Sequence, residues 1–257
     1  MKNFSYVHTD FFQFYTSLLK FKKIIPEKAF QLMFDEIKVI TNNKIIVPTY
    51  NYDFTKSKIY DYYRSKSEVG FFSEYFRKIF KDYRTNVPIF SDCSNIKLKN
   101  RNESLNPFRK NSIFDNLTKN SGKILIYGAN FAPSYIMYVE NCIANGPRYR
   151  FVKEFEGSFI KKKIKKKIKI KFFCRPLNIY FKYDLTKIKK DLFKEGILKV
   201  NKNEYNLKYY SFIAKDFKEF CLNKIKKNNF YLLDKKTHLI LKKHLGKKYR
   251  IQQKDFE

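Results

Sequence analysis

Residues 134 to 141 read SYIMYVEN. On a helix Met137 and Glu140 are three apart and share a face, which sets a thioether beside a carboxylate. The carboxylate can take a proton and the thioether cannot. The pair is therefore either part of an acid–base site with one member missing or the edge of a core in which Met fills an irregular gap. Asp92, in NVPIFSDC, is a second carboxylate that could serve as a base; a hydrogen-bonded or solvated acid is the plainer reading of both. His8, Thr9 and Asp10 follow a short apolar run, where Thr9 or Asp10 could cap the next helix. Tyr50, Tyr52 and Asp53 lie at the start of a long polar, aromatic loop, the kind of segment that carries function more often than packing. His238 and His244 have no metal-ligand partners nearby, no metal site is expected, and GxGxxG, GxxxxGK[ST] and HExxH are all absent. Nothing supports a Ser-His-Asp triad.

The elements that must position these residues follow an α/β grammar. A strand at Tyr6 to His8 runs into TDFFQFYTSLL, and PEKAFQLMFDEIKVI is a helix with Pro26 in its first turn and Ala29, Phe30, Met33, Phe34 and Ile37 on one face. NNKIIVPTY reads as turn, buried strand and stop, residues 52–70 as a loop, and EVGFFSEYFRKIF as a helix. Residues 95–111 have the least regular pattern. SIFDNLTKN is a helix and KILIYG a buried strand, so SYIMYVEN begins just beyond the C-terminal edge of that strand, where ligands collect in open α/β sheets. RYRFVKEFEGSFIKKKIKKKIKIKFFCRPL reads as strands. A helix at DLTKIKKDLFKEGIL, a strand near YNLKYYSFI and a helix at AKDFKEFCLNKIKKN complete one domain over residues 1–235, with a peripheral basic tail at 236–257. The expected fold is a single α/β domain with a central mixed sheet flanked by helices.

Lys and Arg total 55 against 24 Asp and Glu, a net charge of +31 that would normally bring nucleic acid forward as a partner. The same chain is rich in Lys, Asn, Ile, Phe and Tyr, with no Trp and only 7 Gly, as codon drift toward A and T produces regardless of function. The charge is discounted accordingly, the lysines from Lys161 to Lys171 are read as the solvated face of a hairpin, and no specific nucleic acid is expected. No apolar run approaches a membrane span, and the N-terminal MKNFSYVHTDFFQFY lacks the uninterrupted apolar region of a signal peptide, so a cytoplasmic protein is expected. Cys93, Cys142, Cys174 and Cys221 are scattered, as buried free thiols are.

The succession VHTDFF, KIIVPTYNYDFTK, SEVGFFSEYFRK, RTNVPIFS, SIFDNL, KILIYGANF, SYIMYVEN, PRYRFVKEFEG, FFCRPL and KDFKEFCLNKIKKNNFYLL resembles the aminoglycoside 3-N-acetyltransferases, or antibiotic N-acetyltransferases, over residues 5 to 235. The resemblance implies acyl transfer from acetyl-CoA or another acyl-CoA to an amine on a sugar-like acceptor. It places His8, Thr9, Asp10 and Asn130 near the acyl donor, and Tyr50, Tyr52, Asp53 and Asp92 toward the acceptor. The family's T-x-x-H-x-x-E element falls on Ser134 to Glu140, so Glu140 keeps the family Glu while Met137 stands where the general-base His belongs. The His of a second element, H-P-x-x-S, becomes Val87. What the resemblance implies is thus a CoA-dependent N-acyltransferase homologue acting on an amino-sugar or nucleotide-sugar acceptor, with surface-polysaccharide synthesis a fitting setting and a homodimer compatible with it. A non-catalytic descendant that binds CoA or a sugar nucleotide, or serves as a subunit, is the alternative that the two lost histidines favour.

Overall fold

The computed structural model describes residues 4–98, 105–144, 146–246 and 250–251. Residues 99–104 of the stretch read as least regular, and 247–249 and 252–257 of the basic tail, lie outside them. The chain opens with β1 (Ser5–Thr9), α1 (Phe11–Leu19), α2 (Pro26–Ile40) and β2 (Ile45–Pro48). The short elements α3 (Phe54–Ser57) and β3 (Ile59–Asp61) precede α4 (Phe71–Ile79) and β4 (Asp92–Ser94). Next come α5 (Ile113–Lys119), β5 (Lys123–Tyr127), α6 (Tyr135–Asn141) and the hairpin of β6 (Phe151–Lys161) and β7 (Ile164–Cys174). The chain then runs through α7 (Leu185–Lys194), β8 (Lys199–Lys202), β9 (Lys208–Ile213), α8 (Ala214–Lys227) and α9 (Lys235–Leu245).

Six strands form a mixed sheet in the order β4-β2-β1-β5-β9-β8. Both neighbours of β1 are parallel to it, with Ser5 opposite Ile45 on one side and Lys123 on the other. The three remaining pairs, β2–β4, β5–β9 and β8–β9, are antiparallel. Because side chains alternate along a strand, the sheet feeds two cores. Val7, Ile45, Val47 and Leu125 pack with Phe14, Met33, Ile37 and Phe76 of α1, α2 and α4. Tyr6, Ile46, Ile124 and Ile126 pack with Phe114, Tyr135, Ile136 and Phe217 of α5, α6 and α8. The result is one α/β unit with helices on both faces, as the strand and helix patterning predicts.

Residues 52–70 are more ordered than the sequence reading expects. They contain α3 and β3, and β3 pairs in parallel with β6, Ile59 opposite Ser158, making a second, three-stranded sheet β3-β6-β7. The pairing is tertiary, and three residues are too few to show a period. Gly157 permits it, since a Cβ there would lie 2.4 Å from Lys58 O. The edge strand β8 also escaped the pattern, all four of its residues being exposed. The hairpin carries its lysines outward, with Ile168, Ile170 and Phe172 turned into the core. In the segment read as a tail, α9 buries Leu241 and Leu245 with Tyr149, Phe181, Leu233 and Ile251 in a third cluster. Among the described residues all four cysteines are free thiols, and no helix is long and apolar enough to cross a membrane.

Candidate active site

The chain leaves β1 toward β2 on one side, while β5 pairs with β1 on the other, so the strand order reverses between β1 and β5. The crevice beyond the carboxyl ends of those two strands is where this class of sheet binds ligands. Asp10 stands at that edge as the N-cap of α1, its carboxylate accepting from Gln13 N (3.1 Å) and Gln13 Nε2 (3.2 Å). Its own N–H donates to Tyr127 O, the last residue of β5 (3.3 Å). Gly128 then turns with φ +65°, and a Cβ there would meet Leu207 Cδ2 at 2.8 Å, so the β5–α6 loop passes close by. Asn130 is exposed in that loop. His8, on the same strand face as Tyr6 and 5.2 Å from its ring, holds a buried Nε2 with no hydrogen-bond partner among the described residues. Burial lowers its pKa to about 4, so the imidazole is neutral near pH 7. A buried polar atom without a partner at a switch point is what a ligand can satisfy.

Two residues back along β1, at Tyr6, four side chains from distant parts of the chain join. Tyr6 Oη donates to Asp92 Oδ1 at 2.6 Å, Tyr6 Oη and Tyr50 Oη are 2.7 Å apart, and Tyr50 Oη and Ser134 Oγ are 2.7 Å apart. Asp92 is buried, and burial pushes its carboxyl up to about 7 even though the Tyr6 hydrogen bond and the nearby Arg84 charge pull the other way. Arg84 is itself buried; it donates to Thr49 O (2.9 Å), Ser65 O (2.5 Å) and Ser91 Oγ (2.9 Å) and faces the Tyr60 ring. The structure thus brings Tyr50 and Asp92 together. Tyr52 touches the group only through its ring, 6.1 Å from Tyr50, and is exposed. Burial of its phenol and the nearby Glu68 charge push its pKa up to about 12. Asp53 is exposed, and its backbone N–H donates to Glu68 Oε2 (2.8 Å).

Glu140 is fully buried and surrounded by donors. Tyr149 Oη donates to Oε1 (2.8 Å), and Arg150 Nε (2.6 Å) and Tyr183 Oη (2.8 Å) donate to Oε2. Arg150, also buried, donates in addition to Phe173 O and Tyr183 Oη. This is a satisfied interior ion pair joining α6 to the entrance of the hairpin, and it leaves Glu140 without access to solvent. Met137 is half-buried against the core and Val87 is buried. Among these positions the carboxylate that adjoins the crevice through hydroxyls is Asp92, not Glu140.

No protein-family model matches the chain, and no curated protein does. Solved structures do. AAC-IIIb in binary complex with CoASH superposes with a TM-score of 0.69 over 88% of this chain and 90% of its own, at 12% identity. The chain has the aminoglycoside 3-N-acetyltransferase fold. Apoenzyme AAC(3)-IVa, an aminoglycoside acetyltransferase, matches at a TM-score of 0.66 and 10% identity over 90% of this chain and 85% of that one. YokD protein from Bacillus subtilis matches at 0.65 and 13% over 89% and 88%. On this acetyltransferase fold, Tyr6, Arg84, Tyr149, Arg150 and Tyr183 are site-region residues that sequence patterning leaves unremarked. The available signal is weak: a Tyr inside an otherwise apolar strand, or an Arg bounded by aromatics, needs a buried partner for its polar end.

Proposed function

We propose that the protein is a CoA-dependent N-acyltransferase whose acceptor is an amine on a sugar-like molecule. The observation that carries this is the unsatisfied His8 Nε2 beside the capped α1 terminus at the β1–β5 switch point, on a fold shared nearly end to end with a CoA-bound acetyltransferase. In this reading His8, Thr9, Asp10 and Asn130 face the acyl donor, His8 Nε2 accepting a hydrogen bond from it. Tyr50 and Tyr52 border the acceptor, and Met137 leaves the histidine position without a base. A net charge of +31 suits an acceptor and a donor that both carry phosphates, as nucleotide-linked amino sugars of polysaccharide synthesis would. Calorimetry tests the reading: acetyl-CoA should bind saturably, and His8→Ala should weaken binding about tenfold, the worth of one good hydrogen bond. Folded protein that takes up no acetyl-CoA at millimolar concentration would overturn it.

The second reading is a CoA-binding protein without transfer activity, favoured by the half-buried Met137 and buried Val87 where the family pattern has histidines. Thiol release from acetyl-CoA with a panel of amino sugars separates the two. A lost general base costs about 10²–10⁴-fold, so release slower than that range allows, with binding intact, decides for the second.

A further inference from the structure

We infer that Ser134, Tyr50, Tyr6 and Asp92 form an oriented proton relay that takes the acceptor's proton in place of a histidine base. The inference rests on the acyltransferase reading for its substrate but not for its geometry. Each hydroxyl has one proton to donate. Tyr6 donates its proton to Asp92, so between Tyr6 and Tyr50 the donor is Tyr50; Tyr50's proton is then committed, so between Tyr50 and Ser134 the donor is Ser134. With Asp92 ionised all three O–H groups point inward, and Ser134 presents only lone pairs outward. It does so from the first residue before α6, half-buried, beyond the end of β5. An amine or ammonium N–H in the crevice therefore meets an acceptor backed by a carboxylate three hydrogen bonds away.

The step balances. The amine nitrogen bonds to the acyl carbon, and the carbon–sulfur bond breaks with its electron pair staying on the thiolate. The nitrogen's proton passes to Ser134 Oγ, Ser134's to Tyr50 Oη, Tyr50's to Tyr6 Oη and Tyr6's to Asp92 Oδ1. The chain, now reversed, resets as Asp92 returns the proton outward to the thiolate or to water. Other candidates are less well placed: Glu140 is enclosed by three donors, and His8, whose Nε2 is given to the acyl donor in this reading, is made a weak base by burial. The ionisable groups around Asp92 are Tyr6 on β1, Tyr50 after β2, Tyr60 on β3 and Arg84, with His8 beyond Tyr6. The phenols Tyr6 and Tyr50 are held above their ordinary range by burial and by Asp92, so near neutrality the group that changes charge is Asp92, whose pKa lies at about 7. Asp92, Tyr6 and Tyr50 are positioning residues for the transfer; of the four, Ser134 is the one that takes the proton from the substrate.

Two measurements test it. Carbon-13 NMR of protein labelled at aspartate Cγ and tyrosine Cζ, assigned with Asp92→Asn, Tyr6→Phe and Tyr50→Phe, should show Asp92, Tyr6 and Tyr50 titrating with one common midpoint. Tyr6→Phe should abolish the Tyr50 response. A Tyr50 signal indifferent to Asp92 ionisation overturns the relay whatever the activity. In single-turnover transfer from acetyl-CoA to glucosamine, the wild-type rate should rise with pH through Asp92's midpoint. Asp92→Asn and Tyr50→Phe should lose that limb and fall about 10–10²-fold, within the range of positioned proton transfer, with acetyl-CoA affinity unchanged by calorimetry. Rates and pH profiles equal to wild type in both variants overturn the proposal. A wild type that binds no acetyl-CoA defeats the acyltransferase reading instead, and the NMR titration then decides the relay by itself.

Discussion

Asp92→Asn is expected to make the protein more stable, and by an amount that depends on pH. The carboxyl has an ordinary value of 3.8 and is raised to about 7 by burial, so over that interval the folded protein holds a proton that the unfolded chain has released. Stability therefore falls as pH rises from 3.8 to about 7. At about 1.4 kcal/mol per unit, the ionised buried group costs roughly 4 kcal/mol at pH 8 and about 1.5 at pH 5. Asn keeps a carbonyl for the Tyr6 hydroxyl and cannot ionise, so the gain over wild type should grow by about 3 kcal/mol between those pH values. His8 has the opposite sign: its pKa is lowered from 6.5 to about 4, the unfolded chain takes the proton first, and stability falls as pH drops through that window. In wild type the two slopes nearly cancel between pH 4 and 6.5. In Asp92→Asn the His8 slope should stand alone, about 3 kcal/mol across the window. Urea midpoints at constant m-value from pH 4.5 to 8 measure both effects. A variant whose profile runs parallel to wild type would refute the reasoning, as would one less stable at pH 8.

Glu140→Gln leaves the buried Arg150 without its carboxylate and should cost about 3–5 kcal/mol in denaturant midpoint, with Arg150→Met added to it recovering part of the loss. Gly157→Ala drives a methyl group against Lys58 O, which accepts from Ser158 N at 2.7 Å, and should cost about 1–3 kcal/mol while speeding hydrogen exchange at residues 59–61; unchanged exchange there would mean that β3 does not depend on the close approach.

Elements that bury a long, regular face were legible: α2 with its five-residue apolar stripe and β5 as an uninterrupted run; the α1 cap was narrowed to Thr9 or Asp10, and the structure gives it to Asp10. What stayed hidden depends on partners distant in sequence. β3 exists because β6 pairs with it, and β8 shows no apolar side at all. In the site, Asp92 was identified as an acid that could act as a base, but its raised pKa comes from the burial that the whole sheet creates, and its hydrogen-bond donor Tyr6 lies on a strand 86 residues earlier. Tyr6 itself reads as one more apolar strand position. Glu140 was visible as a carboxylate in a family element; that Tyr149, Arg150 and Tyr183 would enclose it depends on where the hairpin and the approach to α7 return in space.

The enclosure of Glu140 also bears on the order in which the protein can be made. A chain growing from its N-terminus completes α6 before any of the three donors to its carboxylate has been synthesised, and Tyr149 finally packs in a cluster closed by Leu241, Leu245 and Ile251 of the last described segment. Until Tyr149, Arg150 and Tyr183 have emerged, α6 carries an uncompensated acid on the side meant for the interior, where leaving it unpaired is strongly unfavourable. Docking of α6, and with it the placement of Ser134 beyond the end of β5, is therefore a late event in biosynthesis, and ribosome-bound chains that stop short of Tyr183 should hold the sheet's first strands without an assembled site.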